Sequence, residues 1–532
     1  MTPVIIVGGG PTGLTAALEL AHHGVSSIVL DGARPRGDGS RAIAIHRTSL
    51  AVWERLGCVT PMLAEGIAWR ARRTFYRGRE LYAQRMPEPE PGDLPTFLNL
   101  PQYRLEEILA GRAAADPRVD VRWEHRVIGI SQDDDGVTLE VDTAAGPMRL
   151  YGSQVLACDG ARSTIRKLLA LPFPGRTYPD RFLIADIRAD LPFAPEPRFF
   201  FDHPTNPGST ILVHPQPAGV WRIDWQLGTS ADLAVERAPE TLARRIRGVI
   251  GDVPYELVWL SDYRFHQRRL ERLRHGRVLF LGDAAHLVSP FGARGMNSAV
   301  HDVENLGWKL AAVLHGTAPA ALLDSYDAER GQAQRHDQAV TDATMRFMAP
   351  RTPWQRLRRT ATLRLTEWWR PARRWVDSGK MSTPFTYAGS PIVCPDVPGD
   401  DWAGAPMPGA KAPDAPCVLP DGTQGWLRSL LGQGFVGLYF PLIAERLPGL
   451  LTVGADVGDH TGALARAYAA RPGTYYLIRP DGHLAARRRG IRPGEPAELV
   501  RFASGGPVRS VVASIPRQRE CPTASTPRHS PR

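Results

Sequence analysis

Three short runs with distinct hydrophobic patterns open the chain. Residues 3–7 are apolar, 14–24 place apolar residues at helical spacing before a glycine, and 26–31 form a second apolar run that ends in an aspartate. The middle run predicts a helix and the flanking runs predict buried strands. The first turn reads GGGPTG. The pattern therefore predicts a strand–helix–strand unit with a glycine-rich turn.

The period of the pattern changes along the middle of the chain. Apolar and polar residues alternate over 119–163, which predicts a β-meander leading into a strand that ends just before Asp159. Strand-like runs over 176–267 predict a separate, mostly antiparallel unit. Helical spacing returns in three segments, which predict helices near 47–56, within 99–115 and over 297–347.

The last third of the chain is compositionally different. Residues 351–380 read as an Arg- and Trp-rich helix, and 385–416 are rich in Pro and Gly. We expect the tryptophans of this helix to pack on the parent domain and its arginines to face water, with a basic membrane-surface helix as the alternative. Beyond Gly505 the chain is mostly Arg, Pro and Ser, which predicts disorder. Strand-like runs that predict a small α/β module lie at 434–440, 450–456 and 474–488.

Composition and charge narrow the class of protein. A chain of 532 residues is too long for one core, so two to four domains are expected. The net charge of +10 is concentrated in two segments, because 351–374 hold eight Arg and one Glu and 487–532 hold ten Arg and three Glu. The remainder is net acidic, so we expect no nucleic-acid partner. No apolar run approaches 18 residues, so no membrane span is expected.

Cysteine usage and the N-terminus indicate a compartment. The five cysteines are widely spaced and form neither a CxxC pair nor a zinc pattern, so neither disulfides nor a metal site is expected. The first residues, MTPVIIVGGG, lack the basic region of a signal peptide. A cytoplasmic, reduced protein fits these features.

The glycine-rich turn carries the first candidate chemistry. Gly8, Gly10 and Gly13 form GxGxxG around Pro11 and Thr12, between the first predicted strand and helix. This spacing permits a tight turn, close approach of a pyrophosphate and close helix–strand packing, with the phosphate on the helix N-terminus. Asp31 ends the second strand where a carboxylate would meet a ribose hydroxyl. The motif predicts dinucleotide binding but does not separate FAD from NAD.

Two further motifs carry a family resemblance. Residues 157–169 read ACDGARSTIRKLL, and residues 281–310 read LGDAAHLVSPFGARGMNSAVHDVENLGWKL. With GxGxxG they occur in the order found in FAD-dependent aromatic hydroxylases of the p-hydroxybenzoate hydroxylase type, and Arg41 and Gln102 also match. The chain resembles this family over roughly 1–345, and within it the hydroxyphenylpropionate and pentachlorophenol hydroxylases.

The resemblance implies a role for each motif. Asp283 would accept hydrogen bonds from the ribityl chain of FAD, and 290–297 would pass the isoalloxazine ring. A helix beginning near Asn297 would direct its positive end at the ring. Asp159 would approach the pyrophosphate, where Arg162 and Arg166 could counter its charge. The implied cofactor-binding residues are Gly8, Gly10, Pro11, Thr12, Gly13, Asp31, Arg41, Gln102, Asp159, Gly160, Asp283, Pro290, Gly292, Gly295, Met296 and Asn297.

The third motif departs from the common family pattern at two places. Ser289-Pro290 replaces a pair of prolines, and Ala293-Arg294-Gly295 replaces Gly-Gln-Gly. We expect the bulky Arg294 beside the flavin, where it would alter the shape or the electrostatics of the substrate site.

The resemblance also implies a reaction. NAD(P)H would reduce FAD, and O2 would then give a flavin C4a-hydroperoxide that hydroxylates an aromatic substrate. Pro290, Phe291 and His214 are the candidate catalytic residues. His214 could be a phenol base or a structural histidine. Aromatic and His candidates for the substrate pocket, which could equally be core residues, are Phe200, Phe201, His203, His214, Trp221, Trp225, Tyr263 and Phe291.

The predicted fold is α/β. It comprises a Rossmann-type FAD-binding domain, an inserted and mostly antiparallel substrate domain, and a C-terminal domain that resembles thioredoxin but has no CxxC, so a stabilising or dimer-contact role is expected. The boundaries are 1–72, 98–175 and 270–345 for the FAD-binding domain, 73–97 and 176–269 for the substrate domain, 346–399 for a linker, 400–505 for the C-terminal domain and 506–532 for a disordered tail.

Other functions remain open at this level. The same scaffold could perform epoxidation, Baeyer–Villiger oxygenation or dehydrogenation. A flavin-binding protein without catalysis, with the C-terminal module as an interaction surface, is an alternative of a different class. The sequence also leaves a homodimer open.

Overall fold

The computed structural model describes residues 2–34, 42–229, 231–376, 381–442 and 449–506. Arg41 and residues 507–532 of the predicted tail lie outside the described residues.

Residues 2–175 fold into short strands and helices. The strands are β1 (Val4–Val7), β2 (Ser27–Asp31), β3 (Ala44–His46), β4 (Ile67–Ala68), β5 (Ala71–Tyr76), β6 (Arg79–Arg85), β7 (Phe97–Asn99), β8 (Val119–Trp123), β9 (Arg126–Gln132), β10 (Val137–Asp142), β11 (Met148–Gly152) and β12 (Val155–Ala157). The helices are α1 (Pro11–His22), α2 (Arg47–Arg55), α3 (Val59–Glu65), α4 (Gln102–Ala114) and α5 (Thr164–Leu168). The helices predicted near 47–56 and within 99–115 correspond to α2 and α4.

Residues 175–348 contain the longest strands and helices. The strands are β13 (Gly175–Arg188), β14 (Arg198–His203), β15 (Asn206–Gln216), β16 (Val220–Leu227), β17 (Glu256–Arg269), β18 (Arg274–His275), β19 (Val278–Phe280) and β20 (His286–Leu287). The helices are α6 (Leu233–Arg237), α7 (Pro239–Ile250), α8 (Arg294–Leu314) and α9 (Asp324–Met348). The helical segment predicted over 297–347 is therefore two helices, separated by a turn that includes Gly316.

The remaining described chain is more irregular. Its helices are α10 (Pro353–Trp368), α11 (Ala463–Ala467) and α12 (Glu495–Ala503). Its strands are β21 (Pro416–Val418), β22 (Gln424–Trp426), β23 (Val436–Tyr439), β24 (Leu451–Thr452), β25 (Tyr475–Ile478) and β26 (Leu484–Arg488). A four-stranded sheet in the order β24-β23-β25-β26 forms in this region, as the apolar runs predict.

A six-stranded sheet in the order β18-β19-β12-β1-β2-β8 forms the first layer. All neighbours in it are parallel except the edge strand β18. Its central strands are apolar throughout because helices cover them: Leu14 of α1, Leu105 of α4 and Val303 of α8 share one buried cluster with Ile5. The predicted strand–helix–strand unit is confirmed as β1-α1-β2.

An eight-stranded sheet in the order β20-β17-β13-β16-β15-β14-β5-β6 forms a second layer. It is antiparallel except where β14 pairs with β5. Alternation of side chains gives it two different faces. On one face Trp221, Ile223 and Trp225 pack with Ile246 of α7. The opposite face carries Arg222 and Asp224, and it faces the first sheet across a cavity.

Buried charges join the C-terminal sheet to the helices beneath it. Arg479, just after β25, donates to both carboxylate oxygens of Glu329 on α9, at 2.5 and 2.9 Å. Lys309 of α8 donates to the same carboxylate at 2.7 Å. These three side chains are fully buried. Burial opposes ionisation of Glu329, but Arg479 and Lys309 hold its pKa well below its usual range.

The Arg/Trp-rich segment exposes its tryptophans, contrary to expectation, although most of its arginines face water as expected. Trp354 and Trp368 are 74% and 87% exposed, whereas Arg359 is buried and donates to the carbonyl oxygens of Met348 and Gly208. The expectation that the tryptophans pack inward was wrong, because the guanidinium of Arg359 satisfies backbone acceptors that an indole cannot reach in the same way. Among the described helices, none is long and apolar enough to cross a bilayer.

Removal of the Arg479 guanidinium tests the contact between the C-terminal region and α9. Arg479→Met should destabilise the protein by about 3–5 kcal/mol, because it leaves Glu329 buried with only part of its compensating charge. Thermal unfolding and limited proteolysis of the C-terminal region report the effect. Arg34→Met is the control, since Arg34 pairs with Glu124 in solvent and should change stability by less than about 0.5 kcal/mol. Equal stability of the two variants would contradict this account.

Candidate active site

A cavity of about 750 Å³ lies between the two main sheets. Residues at the carboxyl ends of the parallel strands line one side of it: Val7 and Asp31 are the last residues of β1 and β2, and Cys158 follows β12. Phe182, His214 and Phe265 of the eight-stranded sheet line the other side. Ligands of open parallel sheets bind at such strand ends, so the cavity is the candidate site.

The glycine-rich turn has the geometry of a phosphate cradle. A Cβ on Gly8 would lie 2.4 Å from the carbonyl oxygen of Cys158, and one on Gly13 would lie 1.8 Å from that of Gly8. These two glycines are required for packing. Gly10 differs, because a Cβ there would meet no described atom within 4 Å. Open space thus adjoins the start of α1, whose first amides lack helical acceptors.

Asp31 lies on the cavity wall in a fixed orientation. Its carboxylate accepts hydrogen bonds from the backbone N–H groups of Gly9 (2.7 Å) and Ala33 (2.9 Å). Gln102 lines the same part of the cavity, where its amide oxygen accepts from Ala42 N–H at 3.4 Å. Both residues thus line the cavity.

The second motif forms a compact turn after β12. Asp159 Oδ2 accepts from the backbone N–H groups of Thr164 (2.6 Å) and Ile165 (3.0 Å) and so caps α5. Burial raises the pKa of Asp159. The Arg166 guanidinium donates to the carbonyl oxygens of Ala284 and Ala161 and joins two loops of the site instead of pointing at a phosphate. Arg162 is exposed.

Asp283 follows β19 in a short 3₁₀ turn (Gly282–Ala284) and is exposed to the cavity. The turn is held by Asp302 of α8, whose Oδ2 accepts from Gly282 N–H at 3.0 Å and lies 2.6 Å from His286 Nε2. Arg330 donates to Asp302 Oδ1 at 2.6 Å. Asp302 and Arg330 were missed in the sequence, where a charged residue in a helix gives no signal of burial.

The third motif continues into the start of α8. Ala293 adopts a left-handed conformation (φ 54°) at the N-cap, and the helix begins at Arg294, three residues before the predicted start. Gly292, Gly295 and Met296 line the cavity beside Pro290. A Cβ on Gly295 would meet no described atom within 4 Å. A flat ring could therefore approach the positive end of α8 closely.

The side-chain amide of Asn297 forms hydrogen bonds within the protein. Its side-chain oxygen accepts from His46 N–H (2.9 Å) and Ser49 Oγ (2.7 Å), and its amide nitrogen donates to the carbonyl oxygens of Ala44 (3.1 Å) and Ala293 (2.6 Å). With these four bonds the amide is fully used. The structure thus places this predicted cofactor-binding side chain between β3 and α8, outside the cavity lining.

Arg294 also lies elsewhere than expected. It is buried, and its guanidinium pairs with Asp337 of α9 and donates to the carbonyl oxygen of Met381 at 3.2 Å. The expectation of a bulky cation beside the flavin was wrong, because a helical side chain in the first turn of α8 can point away from the cavity toward α9.

The substrate-pocket candidates divide according to the face of the sheet on which they lie. His214, Tyr263 and Phe291 line the cavity. The other five were wrong as cavity-lining candidates: Phe200, Phe201, His203, Trp221 and Trp225. Phe201 packs on Phe347, whereas Trp221 and Trp225 face α7. Strand alternation turns Trp221 and Trp225 away from the cavity. Phe201 is an exception, because it shares the cavity-side cluster with Phe199 but lies beyond the cavity lining.

Polar residues missed in the sequence analysis form part of this wall. Arg222 makes two 2.8 Å bonds to Asp186, and both side chains are buried. Asp224 is half-buried, but its Oδ1 is buried and has no hydrogen-bond partner among the described residues. Burial raises the pKa of Asp224 to about 7. Burial and the charge of Arg222 lower the pKa of His214 to about 4, and His214 Nδ1 also lacks a described partner.

Comparison with known proteins adds an independent line of evidence. A family model described as an FAD binding domain matches residues 1–343. A 3-(3-hydroxy-phenyl)propionate/3-hydroxycinnamic acid hydroxylase of Mycobacterium sp. (strain JLS) is 31% identical over 91% of this chain and 89% of its own length. A 12-dehydrotetracycline 5-monooxygenase/anhydrotetracycline 6-monooxygenase of Streptomyces rimosus is 31% identical over 90% and 94%.

A solved structure also covers nearly the whole chain. The flavin-dependent monooxygenase PieE, in complex with FAD and substrate, superposes with a TM-score of 0.80 over 95% of this chain and 98% of its own, at 23% identity. At this identity the match establishes a shared fold, including the C-terminal region.

The buried carboxyl of Asp224 should make stability depend on pH. Its folded pKa of about 7 lies above its ordinary 3.8, so the folded protein loses stability as the pH rises between these values. The Asp224→Asn side chain cannot ionise, so the free energy of unfolding of this variant should rise relative to wild type between pH 4 and pH 8, by up to about 4 kcal/mol, and the Tm difference measured over this range reports the change. Asp262→Asn is the control, because Asp262 pairs with Arg237 at the surface. A Tm difference that is constant with pH would contradict a buried, ionising Asp224.

Proposed function

We propose that this protein hydroxylates an electron-rich aromatic ring. The chain belongs to the family of FAD-dependent monooxygenases that share this FAD binding domain. The family resemblance and the α/β fold with a Rossmann-type FAD-binding part are confirmed. One substrate C–H, O2, NAD(P)H and a proton would give one C–OH, water and NAD(P)+.

The observation that carries the proposal is the single cavity shared by the two sheets. It joins the phosphate turn at Gly10, the carboxylate of Asp283 and the start of α8 to a wall that contains Phe182 and Phe291. A dinucleotide with a flat ring would thus present that ring to a substrate in the same enclosed space. When bound, FAD supplies the redox chemistry, taking electrons from NAD(P)H and passing them to O2.

The protein's own groups would bind and orient FAD. The backbone N–H groups of Gly10 and Thr12, on either side of Pro11, would meet the pyrophosphate, and Asp31 would accept from a ribose hydroxyl. Asp159, Gly160 and Gln102 complete the phosphate and ribityl region. Asp283 accepts from the ribityl chain. Beside the ring lie Pro290, Gly292, Gly295 and Met296.

The wall beyond the ring would hold the substrate. Phe182, Leu212 and Phe291 are buried and apolar, so they suit an aromatic substrate and exclude water from the reacting centre. The FAD-binding domain then comprises residues 1–72, 98–175 and 270–345. The substrate-binding domain comprises residues 73–97 and 176–269. The C-terminal region, through Arg479 and Glu329, stabilises α9.

A cytoplasmic location suits this function. The described cysteines Cys58, Cys158, Cys394 and Cys417 are free thiols, and the reaction consumes a reduced nicotinamide. Fractionation of cells that express the full chain tests this location.

Product mass tests the reaction. The purified protein should be yellow and should oxidise NAD(P)H faster with a suitable phenol, from a panel of 3-(3-hydroxyphenyl)propionate, 4-nitrophenol, anhydrotetracycline and related aromatics. With labelled O2 the product should gain one labelled oxygen on the ring. A product that has lost two hydrogens would instead identify a dehydrogenase, and oxygen inserted beside a ketone a Baeyer–Villiger enzyme. A colourless protein that cannot be loaded with FAD would remove the proposal.

Removal of the Asp283 carboxylate tests its assignment. Asp283→Ala should weaken FAD binding by roughly 10- to 100-fold, the effect of losing a hydrogen bond to a charged group. Flavin fluorescence and the flavin-to-protein absorbance ratio measure this change. Asp120→Ala is the matched control, since Asp120 pairs with Arg122 on the exposed edge strand β8. Unchanged FAD occupancy in Asp283→Ala would contradict the ribityl assignment.

A further inference from the structure

A narrow polar strip crosses the apolar wall of the cavity. The register of the eight-stranded sheet places Arg222 between Asp186 on β13 and His214 on β15. Two residues further along β16, Asp224 lies between Ile184 and Leu212. The cavity face thus carries one charged row and, next to it, one carboxyl between two aliphatic side chains.

Within the charged row, Arg222 and Asp186 fix each other's position. Arg222 binds both carboxylate oxygens of Asp186, at 2.8 Å each, and both groups are buried. Such a bidentate pair is rigid and leaves Asp186 little capacity for a ligand. Arg222 therefore provides a fixed positive charge beside Asp224 and His214.

Asp224 and His214 present unused polar atoms to the cavity. Asp224 Oδ1 and His214 Nδ1 are buried without a hydrogen-bond partner among the described residues, and both side chains line the cavity. An unsatisfied buried polar atom costs about 1–3 kcal/mol, so native proteins rarely retain one without a use. A ligand that donates a hydrogen bond would remove this cost.

We propose that Asp224 accepts a hydrogen bond from a phenolic hydroxyl of the substrate and takes up its proton during hydroxylation. His214 is a positioning residue that binds a second polar group of the same molecule. The inference rests on the proposed function and specifies its substrate class: an aromatic ring that already carries a hydroxyl group.

The proton step is balanced within the site. The O–H bond of the phenol breaks, the proton binds Asp224 Oδ1, and the electron pair stays on the phenolic oxygen and enriches the ring. After oxygen has added, the ring carbon loses its hydrogen as a proton, which restores aromaticity, and this proton leaves in the water formed from the second oxygen atom of O2. Asp224 then returns its proton to the product oxygen. The fixed charge of Arg222 stabilises the anion while it exists.

Asp224 suits this role better than His214, which the sequence analysis singled out. The charges that act on Asp224 are those of Arg222 on its own strand and Asp186 on β13, and the titratable side chains of His214 on β15 and Tyr263 on β17 line the same cavity. Burial raises the pKa of Asp224 to about 7 in spite of Arg222, and burial lowers that of His214 to about 4. A base works best when its pKa is near the working pH, so His214 would remain neutral and weakly basic.

Binding to the wild-type holoenzyme gives the first test. The probes are the phenol of the panel with the highest kcat/KM and its O-methyl ether, and binding is followed by the change in flavin absorbance. The phenol should bind at least about 10-fold more tightly than its ether, because the ether leaves Asp224 Oδ1 unsatisfied. Equal affinities in wild type would overturn the proposal. This test needs no variant and so does not depend on whether a variant folds.

A pH profile gives the second test. In wild type, kcat/KM should rise with pH through about 7, the pKa of Asp224. In Asp224→Asn it should fall on the order of 100-fold or more, and, with an alkyl-substituted phenol such as 3-(3-hydroxyphenyl)propionate as substrate, its rise should move toward the ionisation of the free phenol near pH 10. The variant should also lose its preference for phenol over ether. An unchanged rise near pH 7 would overturn the assignment.

Two controls separate the possible failures. Asp262→Asn makes the same chemical change on the outer side of the sheet and should keep the wild-type profile. FAD content and Tm confirm that each variant folds. If wild type incorporates labelled oxygen but Asp224→Asn behaves as wild type, only this inference fails. If no labelled product forms with any member of the panel, the proposed function itself fails.

Discussion

The candidate site depends on one buried carboxylate, that of Asp302. It accepts from the backbone of Gly282, lies within hydrogen-bond distance of His286 and pairs with Arg330, and all of these contacts are buried. Burial alone would neutralise it, but Arg330 and His286 hold its pKa well below its usual range. Because Asp302 lies on α8, the loop that presents Asp283 and the helix that follows it are fixed to each other.

The division between the two sheets explains why chemistry and selectivity come from different parts of the chain. The parallel sheet ends in loops whose backbone groups, glycines and short carboxylates suit a dinucleotide of constant structure. The antiparallel sheet offers one face of side chains, where each strand contributes alternate residues, and such a wall can change by single substitutions without disturbing the backbone. Related enzymes with one fold can in this way act on quite different ring systems.

Local features were predictable, and tertiary choices were not. GxGxxG, the β1-α1-β2 unit and the strand-end aspartates follow from short-range patterns, so the sequence predicts their places well. Which residues form the cavity wall depends on which face of β15 and β16 is turned toward the parallel sheet, and a local pattern does not determine this. The choice of large aromatics such as Trp221 and Trp225 therefore selected the wrong face. Arg294, Asn297 and Arg359 were misjudged for a related reason: their partners lie far away in sequence, and burial of a polar side chain leaves no local signature.

Two neighbouring residues of α9 bind different parts of the molecule. Glu329 receives Arg479 from the C-terminal region, whereas Arg330 holds Asp302 behind the loop of Asp283. The two contacts thus share one turn of one helix. Thermodynamic coupling between sites is reciprocal. A cofactor that stabilises this turn of α9 therefore also favours docking of the C-terminal region, and the docked C-terminal region favours cofactor binding to the same extent. No described residue of 400–505 lines the cavity. This region can nevertheless contribute to the affinity of the protein for its cofactor.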